Sequence, residues 1–249
     1  MDASANITAA VFTAYLKCPT KAYLMTHRQK PPDTFVADAC RRISAAYKAK
    51  VIGSSGTAPI DFSQLPDDLA IEVTNSFVDC ETTSYALSQP GSVKTDRLRP
   101  KSRHCQDLVP ILYSAWDKID QSDNLLVCFG ALAIGQATGN GIPAIGNVVY
   151  GEPERDKTVK IAEHVSKTQE AIEAAASMSH ANEPPRLVLN KHCPACDFQS
   201  RCHALATERE DLSLLGAMTV KERLKSEEKG ISTITQLSYG YRPPPTKTR

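Results

Sequence analysis

The sequence predicts an α/β domain in which a β-sheet core is flanked by helices. Segments with helical periodicity alternate with shorter apolar segments of strand type along most of the 249 residues. The chain is 41% hydrophobic and 23% charged, which is typical of a globular protein with a buried core. A chain of this length has room for one large domain, or for a main domain with a small appendage.

Three helices are predicted before the first strand. Asn6 and Thr8 are suited to cap the first helix, and an apolar stripe follows them. Pro19 is suited to the first turn of a second helix, over residues 20–27. A longer third helix is predicted over residues 33–50.

The central part of the chain changes to strand patterns. Apolar and polar residues alternate over residues 69–74, and we expect this strand to continue through residues 77–81. Residues 89–103 are polar and contain proline and glycine, so we interpret them as a long hairpin loop. A second strand is predicted over residues 108–115, where Pro110 favours a position at the sheet edge. The remaining predicted elements are a helix over 117–137, a strand over 144–150 and a helix over 158–177.

The C-terminal part differs in character from the rest. Thr219 and Glu222 have the spacing of a capping box at the start of a charged helix, and a last short helix is predicted around residues 233–237. The two helices are joined near Gly230, which indicates a helix-hairpin-helix-like unit. The predicted organisation is a main domain over residues 1–210, this unit over 211–240 and a Pro-rich basic tail or linker over 241–249.

Composition also limits the location and the partners of the chain. No apolar run approaches the ~18 residues that a membrane span requires, and the N-terminus lacks the features of a secretory signal. We therefore expect a cytoplasmic protein with no membrane partner. The net charge of +1 argues against bulk attraction to nucleic acid but is compatible with a local basic groove. Eight cysteines in such a chain are expected to be buried residues or metal ligands rather than a disulfide framework.

Three of these cysteines have the spacing of metal ligands. Cys193, Cys196 and Cys202 form a C-x2-C-x5-C arrangement. Two thiolates across a tight turn can bind the same metal, and the third reaches it from the first turn of the next helix. A fourth ligand must come from elsewhere, and Cys18 is the candidate because it lies at the corner between the first two predicted helices.

The metal is either a [4Fe–4S] cluster or Zn²⁺. Structural zinc sites usually draw their ligands as two close pairs, whereas this site is one cysteine plus three, so the cluster is favoured. His192 and His203 flank the trio and keep a Cys3His zinc site open. Three unrelated buried cysteines are the remaining interpretation. The other cysteines lack ligand spacing and are expected to be ordinary buried residues: Cys40, Cys80, Cys105 and Cys128.

The cysteines lie in motifs that resemble those of the RecB-like nuclease family, a branch of the PD-(D/E)xK superfamily with a four-cysteine iron–sulfur staple. The motifs are Tyr-Leu-Lys-Cys-Pro ending at Pro19, the segment from Asn190 to Cys202, Asp-Leu-Ser-Leu-Leu from Asp211, Lys-Gly-Ile around Gly230 and Gln-Leu-Ser-Tyr from Gln236. The resemblance extends over nearly the whole chain. It implies a PD-(D/E)xK (restriction-endonuclease-like) core, a mixed sheet flanked by helices, with a small C-terminal helical unit. A ribonuclease-H-like exonuclease domain often follows the Pro-rich tail in this family, so such a domain is an expected partner.

The resemblance also implies an acidic residue and an E-x-K motif that hold Mg²⁺ or Mn²⁺ beside the scissile phosphate. This sequence departs from that pattern, because Leu112 stands in place of the glutamate and Ser114 in place of the lysine. Glu81 occupies roughly the position of the metal-binding acid, with Asp79 beside it. The E-x-K at residues 227–229 lies on a charged helix, and we interpret it as a solvated helix face.

Three hypotheses of function follow. The first is a nucleic-acid-binding module, for DNA by resemblance, whose nuclease motif is degraded; its expected phosphate contacts are Arg41, Arg42, Lys94, Arg97, Arg99, Lys101, Arg103 and the backbone near Gly230. The second is an active Mg²⁺- or Mn²⁺-dependent DNA exonuclease in which Glu81 and Asp79 recruit a further acid, such as Asp107 or Asp117. The third is a zinc-stapled protein-interaction module.

Overall fold

The computed structural model describes residues 5–32, 35–55, 77–82, 84–87, 108–139, 141–216 and 218–240. The strand predicted over residues 69–74 and the tail over 241–249 lie outside these ranges. So do several candidate residues, namely Lys94, Arg97, Arg99, Lys101, Arg103, Cys105 and Asp107. No helix within the described ranges is both long and apolar enough to cross a membrane.

Helices and strands are both present along the described chain, which confirms the predicted α/β class. The helices are α1 (Ala9–Lys17), α2 (Pro19–Thr26), α3 (Phe35–Ser55), α4 (Gln121–Thr138), α5 (Val165–Ser179), α6 (Gln199–Glu208), α7 (Val220–Glu227) and α8 (Ile234–Gly240). The strands are β1 (Ala5–Thr8), β2 (Phe77–Asp79), β3 (Ser84–Leu87), β4 (Val109–Ser114), β5 (Ile145–Tyr150) and β6 (Arg155–Lys160). The chain divides into a first unit, residues 1–29 with 38–185, and a second unit, residues 30–37 with 186–249.

The first unit contains a four-stranded mixed sheet with the strand order β2-β4-β5-β6. Strands β2, β4 and β5 are parallel, and β6 pairs antiparallel with β5. Strands β1 and β3 form a separate antiparallel pair. The loop predicted over residues 89–103 lies outside the described residues. Because β2 and β4 run parallel, however, the two strands do not form the expected hairpin.

Strand β4 lies inside the sheet, between β2 and β5, so the edge position predicted from Pro110 is also wrong. Pro110 is the second residue of β4, and pairing with β5 begins only at Ile111. Pro110, which has no backbone N–H, therefore lies just before the residues of β4 that pair with β5. On the β5 side, Gly146 has no side chain, which leaves room for the proline ring: a Cβ at Gly146 would lie 3.0 Å from Pro110 Cγ.

Both faces of β4 are buried. On one face, Leu112 belongs to the large apolar cluster that also contains the buried side of α4. On the other face, Ile111 and Tyr113 pack with Tyr47 and Val51 of α3. The sheet is therefore the middle layer of the first unit, with α3 on one side and α4 on the other.

Helix α4 begins at a capping box. The Asp120 side chain accepts the Ser122 N–H at 2.8 Å, and the Asp123 carboxylate accepts the Asp120 N–H at 2.8 Å. These bonds satisfy two N–H groups that a helix start otherwise leaves without partners. The helix therefore starts a few residues later than predicted, and four residues of its apolar face are buried: Leu125, Leu126, Phe129 and Leu132.

The helix predicted over residues 158–177 begins too early. Residues 158–160 belong to β6, and α5 starts at Val165 after a 3-10 turn, Ile161–Glu163. Strand β6 has the sequence Arg-Asp-Lys-Thr-Val-Lys, and only Val159 among these residues is buried. Charged side chains are common on edge strands, where they oppose pairing with another chain. Because most of its residues are charged, β6 lacks the alternation of apolar and polar residues that predicts a strand from the sequence.

We predict that Gly146→Ala destabilises the first unit. A Cβ at Gly146 would lie 2.3 Å from Val127 Cγ1, a distance that forces β5 and α4 apart. Overpacking of a core costs about 1–3 kcal/mol, measured as a loss in the free energy of urea unfolding. Gly53→Ala in α3 is the matched control, because nothing lies within 4 Å of its added Cβ and alanine is the better helix former. Equal stability of the two variants would contradict this packing.

Candidate metal centre and nuclease positions

The three cysteines of the C-x2-C-x5-C arrangement lie on consecutive turns of the second unit. Cys193 begins a 3-10 turn, Cys193–Ala195, and the Cys196 N–H closes that turn on the Cys193 carbonyl at 3.0 Å. Cys202 is in the first turn of α6, where its N–H donates to the Phe198 carbonyl at 3.0 Å. Cys193 and Cys196 are half-buried and Cys202 is buried.

A small apolar core holds this run of turns in place. Phe198, which precedes α6, is 2% exposed, and Ala206 on the same helix is 0% exposed. Leu212 in the following 3-10 turn, Leu212–Leu214, is also 0% exposed. The Leu189 N–H donates to Ser213 Oγ at 3.1 Å, which attaches the segment that leads to Cys193 to the same turn. The positions of the cysteines are thus fixed by local hydrogen bonds and by packing.

Asn190 contributes several hydrogen bonds around Cys193. Its N–H donates to Cys193 Sγ at 3.2 Å. Its side-chain Oδ1 accepts the His192 N–H at 2.9 Å, and its carbonyl accepts the Cys193 N–H at 3.0 Å. A backbone N–H directed at sulfur stabilises negative charge on that sulfur, and metal ligands are thiolates.

The three cysteines are chemically suitable ligands for a metal that binds thiolates. All seven described cysteines are free of disulfides, and the trio supplies three soft sulfur ligands within one compact unit. Among the residues that the structure describes, no three or more His, Cys, Asp or Glu side chains are arranged as a metal-binding group.

Cys18 belongs to the first unit, at the corner between α1 and α2. Its N–H ends α1 by donating to the Ala14 carbonyl at 2.7 Å, and its carbonyl accepts the Ala22 N–H of α2 at 3.2 Å. Pro19 follows at the first position of α2, as predicted. Cys18 is half-buried and makes no disulfide.

Two of the four cysteines without ligand spacing are core residues, as expected. Cys80 and Cys128 are 0% exposed. Cys80 packs against α4, because a Cβ at Gly130 would lie 2.9 Å from its sulfur. Burial raises the pKa of the Cys128 thiol, which keeps it protonated and unreactive. Cys40 is half-buried on α3.

The two positions of the missing E-x-K motif are buried in β4. Leu112 is 4% exposed and belongs to the main apolar cluster, and Ser114 is 8% exposed. The Ser114 carbonyl accepts the Gly151 N–H at 3.1 Å, which connects the end of β4 to the turn after β5. Neither side chain offers a carboxylate or an ammonium group at this strand.

Glu81 lies in a 3-10 turn, Cys80–Thr82, directly after β2. Its carboxylate is about half exposed, and Glu81 Oε2 lies 3.5 Å from Lys48 Nζ of α3. Asp79 is the last residue of β2, and its side chain is outside the described part of the structure. Sequence reasoning did not find Lys48, because the contact joins residues far apart in the chain.

Asp117 has a structural role in the described residues. Its Oδ1 lies 3.3 Å from Arg155 Nη2, and the Asp117 carbonyl accepts from the same nitrogen at 2.9 Å. Arg155 in turn lies over the ring of Tyr150, 4.7 Å from its centroid. These contacts hold the loop after β4 against the turn after β5, so Asp117 is already engaged as a turn residue.

Three of the predicted phosphate contacts lie within the described ranges. Arg41 pairs with Asp38 on α3, and Arg42 is exposed on the same helix. Gly230 has a φ of 77° and ends α7: its N–H donates to the Glu227 carbonyl at 2.8 Å. The Ile231 N–H donates to the Ser226 carbonyl at 3.0 Å. These amides close the C-terminus of a helix rather than face a ligand.

The E-x-K at residues 227–229 is solvated only in part: Glu228 and Lys229 are exposed, as interpreted from the sequence, but Glu227 is not. Glu227 is only 18% exposed, with Oε2 at 2.7 Å from Arg186 Nη1 and Oε1 at 3.4 Å from Arg223 Nε. Arg186 also lies 3.9 Å from Asp211 Oδ2. The contact with Arg223 is an ion pair without hydrogen-bond geometry, since both atoms lack a hydrogen-bond partner. The i,i+4 spacing of Arg223 and Glu227 was the available signal for this network.

No protein-family model matches the sequence, and the search of curated proteins found no match. The functional interpretation of the chain therefore depends on its own motifs, and on the geometry of the residues described above.

Proposed function

We propose that the chain is a RecB-like nuclease-family domain of the PD-(D/E)xK superfamily that binds a [4Fe–4S] cluster and nucleic acid, with a degraded nuclease motif. The cluster ligands are Cys18, Cys193, Cys196 and Cys202. In this proposal the domain holds nucleic acid, and a partner such as a ribonuclease-H-like exonuclease domain supplies the cleavage.

The observation that carries the proposal is the run of turns through the cysteine trio. Two cysteines flank one 3-10 turn, Cys193–Ala195, and the third lies in the first turn of α6. The N–H···S contact from Asn190 to Cys193, at 3.2 Å, is the kind of bond that supports a thiolate. Three cysteines buried for packing alone have no need of such a bond or of this spacing.

The arrangement of one distant cysteine plus three local ones supports a cluster over zinc. Cys18 and the trio are far apart in the sequence, so ligation to one cluster would close a very long loop. Such a cross-link restricts the unfolded chain and stabilises the folded one. The bound group therefore supplies structural stabilisation, while the protein supplies the turns that hold its ligands.

The proposal of binding without cleavage is supported by β4. A glutamate at position 112 would place a carboxylate in the apolar cluster, where Leu112 is 4% exposed. Burying an unpaired carboxylate costs several kcal/mol or forces it to take up a proton. The leucine is thus compatible with the packing of this strand, whereas a catalytic pair at residues 112 and 114 is not.

We predict that the protein purified without oxygen contains about four iron and four sulfide per chain, with a broad absorption band near ~400 nm. Cys196→Ser removes one thiolate and is expected to abolish the band and most of the iron. Cys40→Ser is the matched control, because Cys40 is a half-buried, disulfide-free cysteine outside the trio. Metal and sulfide analysis of the three proteins is the measurement.

Other outcomes of that analysis are equally informative. One zinc per chain, without colour and lost in Cys196→Ser, would replace the cluster by a zinc site and favour a protein-interaction module. Equal metal content in all three proteins would exclude Cys196 as a ligand and refute the four-cysteine site.

For nucleic acid, we predict binding that weakens as salt concentration rises, because phosphate contacts release counterions. Arg42→Ala should weaken binding about equally for all DNA sequences and lower the salt slope by about 1. Lys167→Ala on α5 is the control, since Lys167 is also an exposed cation on a helix of the first unit. Fluorescence anisotropy with single- and double-stranded DNA and RNA measures both quantities. No salt-dependent affinity for any of these would refute the nucleic-acid role.

A second candidate, an active nuclease, is favoured by the pair of Lys48 and Glu81. A carboxylate and an ammonium group 3.5 Å apart at the end of a parallel strand are groups that Mg²⁺-dependent hydrolysis uses. If this candidate is correct, Glu81→Ala abolishes Mg²⁺- or Mn²⁺-dependent cleavage of DNA. Glu163→Ala is the control, because Glu163 forms a similar pair with Lys160 at 3.6 Å. Cleavage that survives Glu81→Ala would exclude Glu81 as the metal-binding acid.

A further inference from the structure

We infer that Asn190 is a positioning residue of the metal centre. Its side chain stabilises the turn in which the Asn190 backbone N–H is directed at the Cys193 sulfur. The inference rests on the proposed metal site and adds a residue to it. Asn190 itself contacts no metal, because its side-chain oxygen is directed at a backbone N–H of the protein, at His192.

The side chain and the backbone of Asn190 act together. Oδ1 accepts the N–H of the residue two positions on, His192, at 2.9 Å, which is an Asx-turn. The Asn190 carbonyl then accepts the Cys193 N–H at 3.0 Å, which closes a second turn over the same four residues. In the resulting conformation the Asn190 N–H lies 3.2 Å from Cys193 Sγ.

This N–H is the contact that matters for the metal. A thiolate needs its charge balanced, and an N–H donor to sulfur does so whether the metal is iron or zinc. The donor is a backbone group, so no substitution short of proline removes it. The direction of this N–H, however, depends on the Asx-turn, which a side chain without an oxygen cannot form. The Oδ1 oxygen also lies 3.9 Å from Cys193 Sγ, close enough to accept from the thiol before a metal binds.

Only some residue types can replace Asn190 in this role. Aspartate has the same shape and retains an oxygen that accepts the His192 N–H. Alanine lacks the acceptor and leaves the turn held by the backbone bond alone. The aspartate variant therefore keeps the Asx-turn, whereas the alanine variant loses it. A residue that only stabilised the fold would change unfolding without changing the metal spectrum.

The test uses Co²⁺ titration of the metal-free full chain under anaerobic conditions. Thiolate-to-cobalt charge-transfer bands report the number of sulfur ligands, and d–d bands report tetrahedral geometry. Asn190→Ala is expected to bind Co²⁺ about 10–100-fold more weakly and to lose the ion faster to a chelator. Asn190→Asp retains the turn and is expected to bind Co²⁺ more tightly than Asn190→Ala, although its carboxylate adds a negative charge near the Cys193 sulfur. Asn182→Ala is the matched control, because Asn182 is an exposed asparagine whose backbone carbonyl, not its side chain, accepts from Tyr23.

The outcomes separate this inference from the function on which it rests. If the parent shows thiolate bands that Cys193→Ser abolishes, while Asn190→Ala binds as tightly as the parent, the metal site stands and the role of Asn190 is refuted. That role is also refuted if Asn190→Asp binds as weakly as Asn190→Ala. If circular dichroism shows that the alanine variant does not fold, the aspartate variant is compared with the parent instead. A parent without thiolate bands refutes the metal site itself, and the positioning role with it.

Discussion

The burial of both faces of β4 is the constraint on which the first unit depends. Ile111 and Tyr113 pack towards α3, while Leu112 packs into the cluster that contains α4. Strands β2 and β5 pair with β4 on its two edges, so its backbone is covered as well. A strand enclosed in this way must be apolar along most of its length, as parallel strands between two helical layers usually are. The two helices are placed by their contacts with the same strand.

This constraint bears on the absence of an E-x-K motif from β4. A nuclease that draws its E-x-K from the strand corresponding to β4 must leave part of that strand open to water and metal. Here the side chains at positions 112 and 114 are nearly inaccessible, and apolar contacts occupy the space that charged groups would need. The apolar sequence of β4 and the closure of the strand are therefore consistent with each other. The remaining charged pair, Lys48 with Glu81, lies beyond the end of β2, where Glu81 is about half exposed.

Much of the helical structure can be predicted from the sequence because its signals are local. The cap at Thr8, the proline at the start of α2 and the capping box of Thr219 with Glu222 are confirmed. Pairing between distant segments cannot be predicted in this way. The sequence does not state whether two strands run parallel, so Pro110 alone suggests an edge position for β4, and the charges of β6 conceal a strand. Glu227 has the pattern of a surface residue because its partner Arg186 lies far away in the chain.

The difference between local signals and contacts of distant segments also applies to the two candidate sites. The cysteine trio and Asn190 occupy one short run of turns, and each turn is closed by a hydrogen bond between near neighbours. The shape of such a short run of turns depends only on its own few residues, which is why the sequence alone can suggest it. A nuclease set needs groups from β2, β4 and a helix, held together by the packing of the whole sheet. A domain can therefore hold the cysteine turns without holding a complete nuclease set.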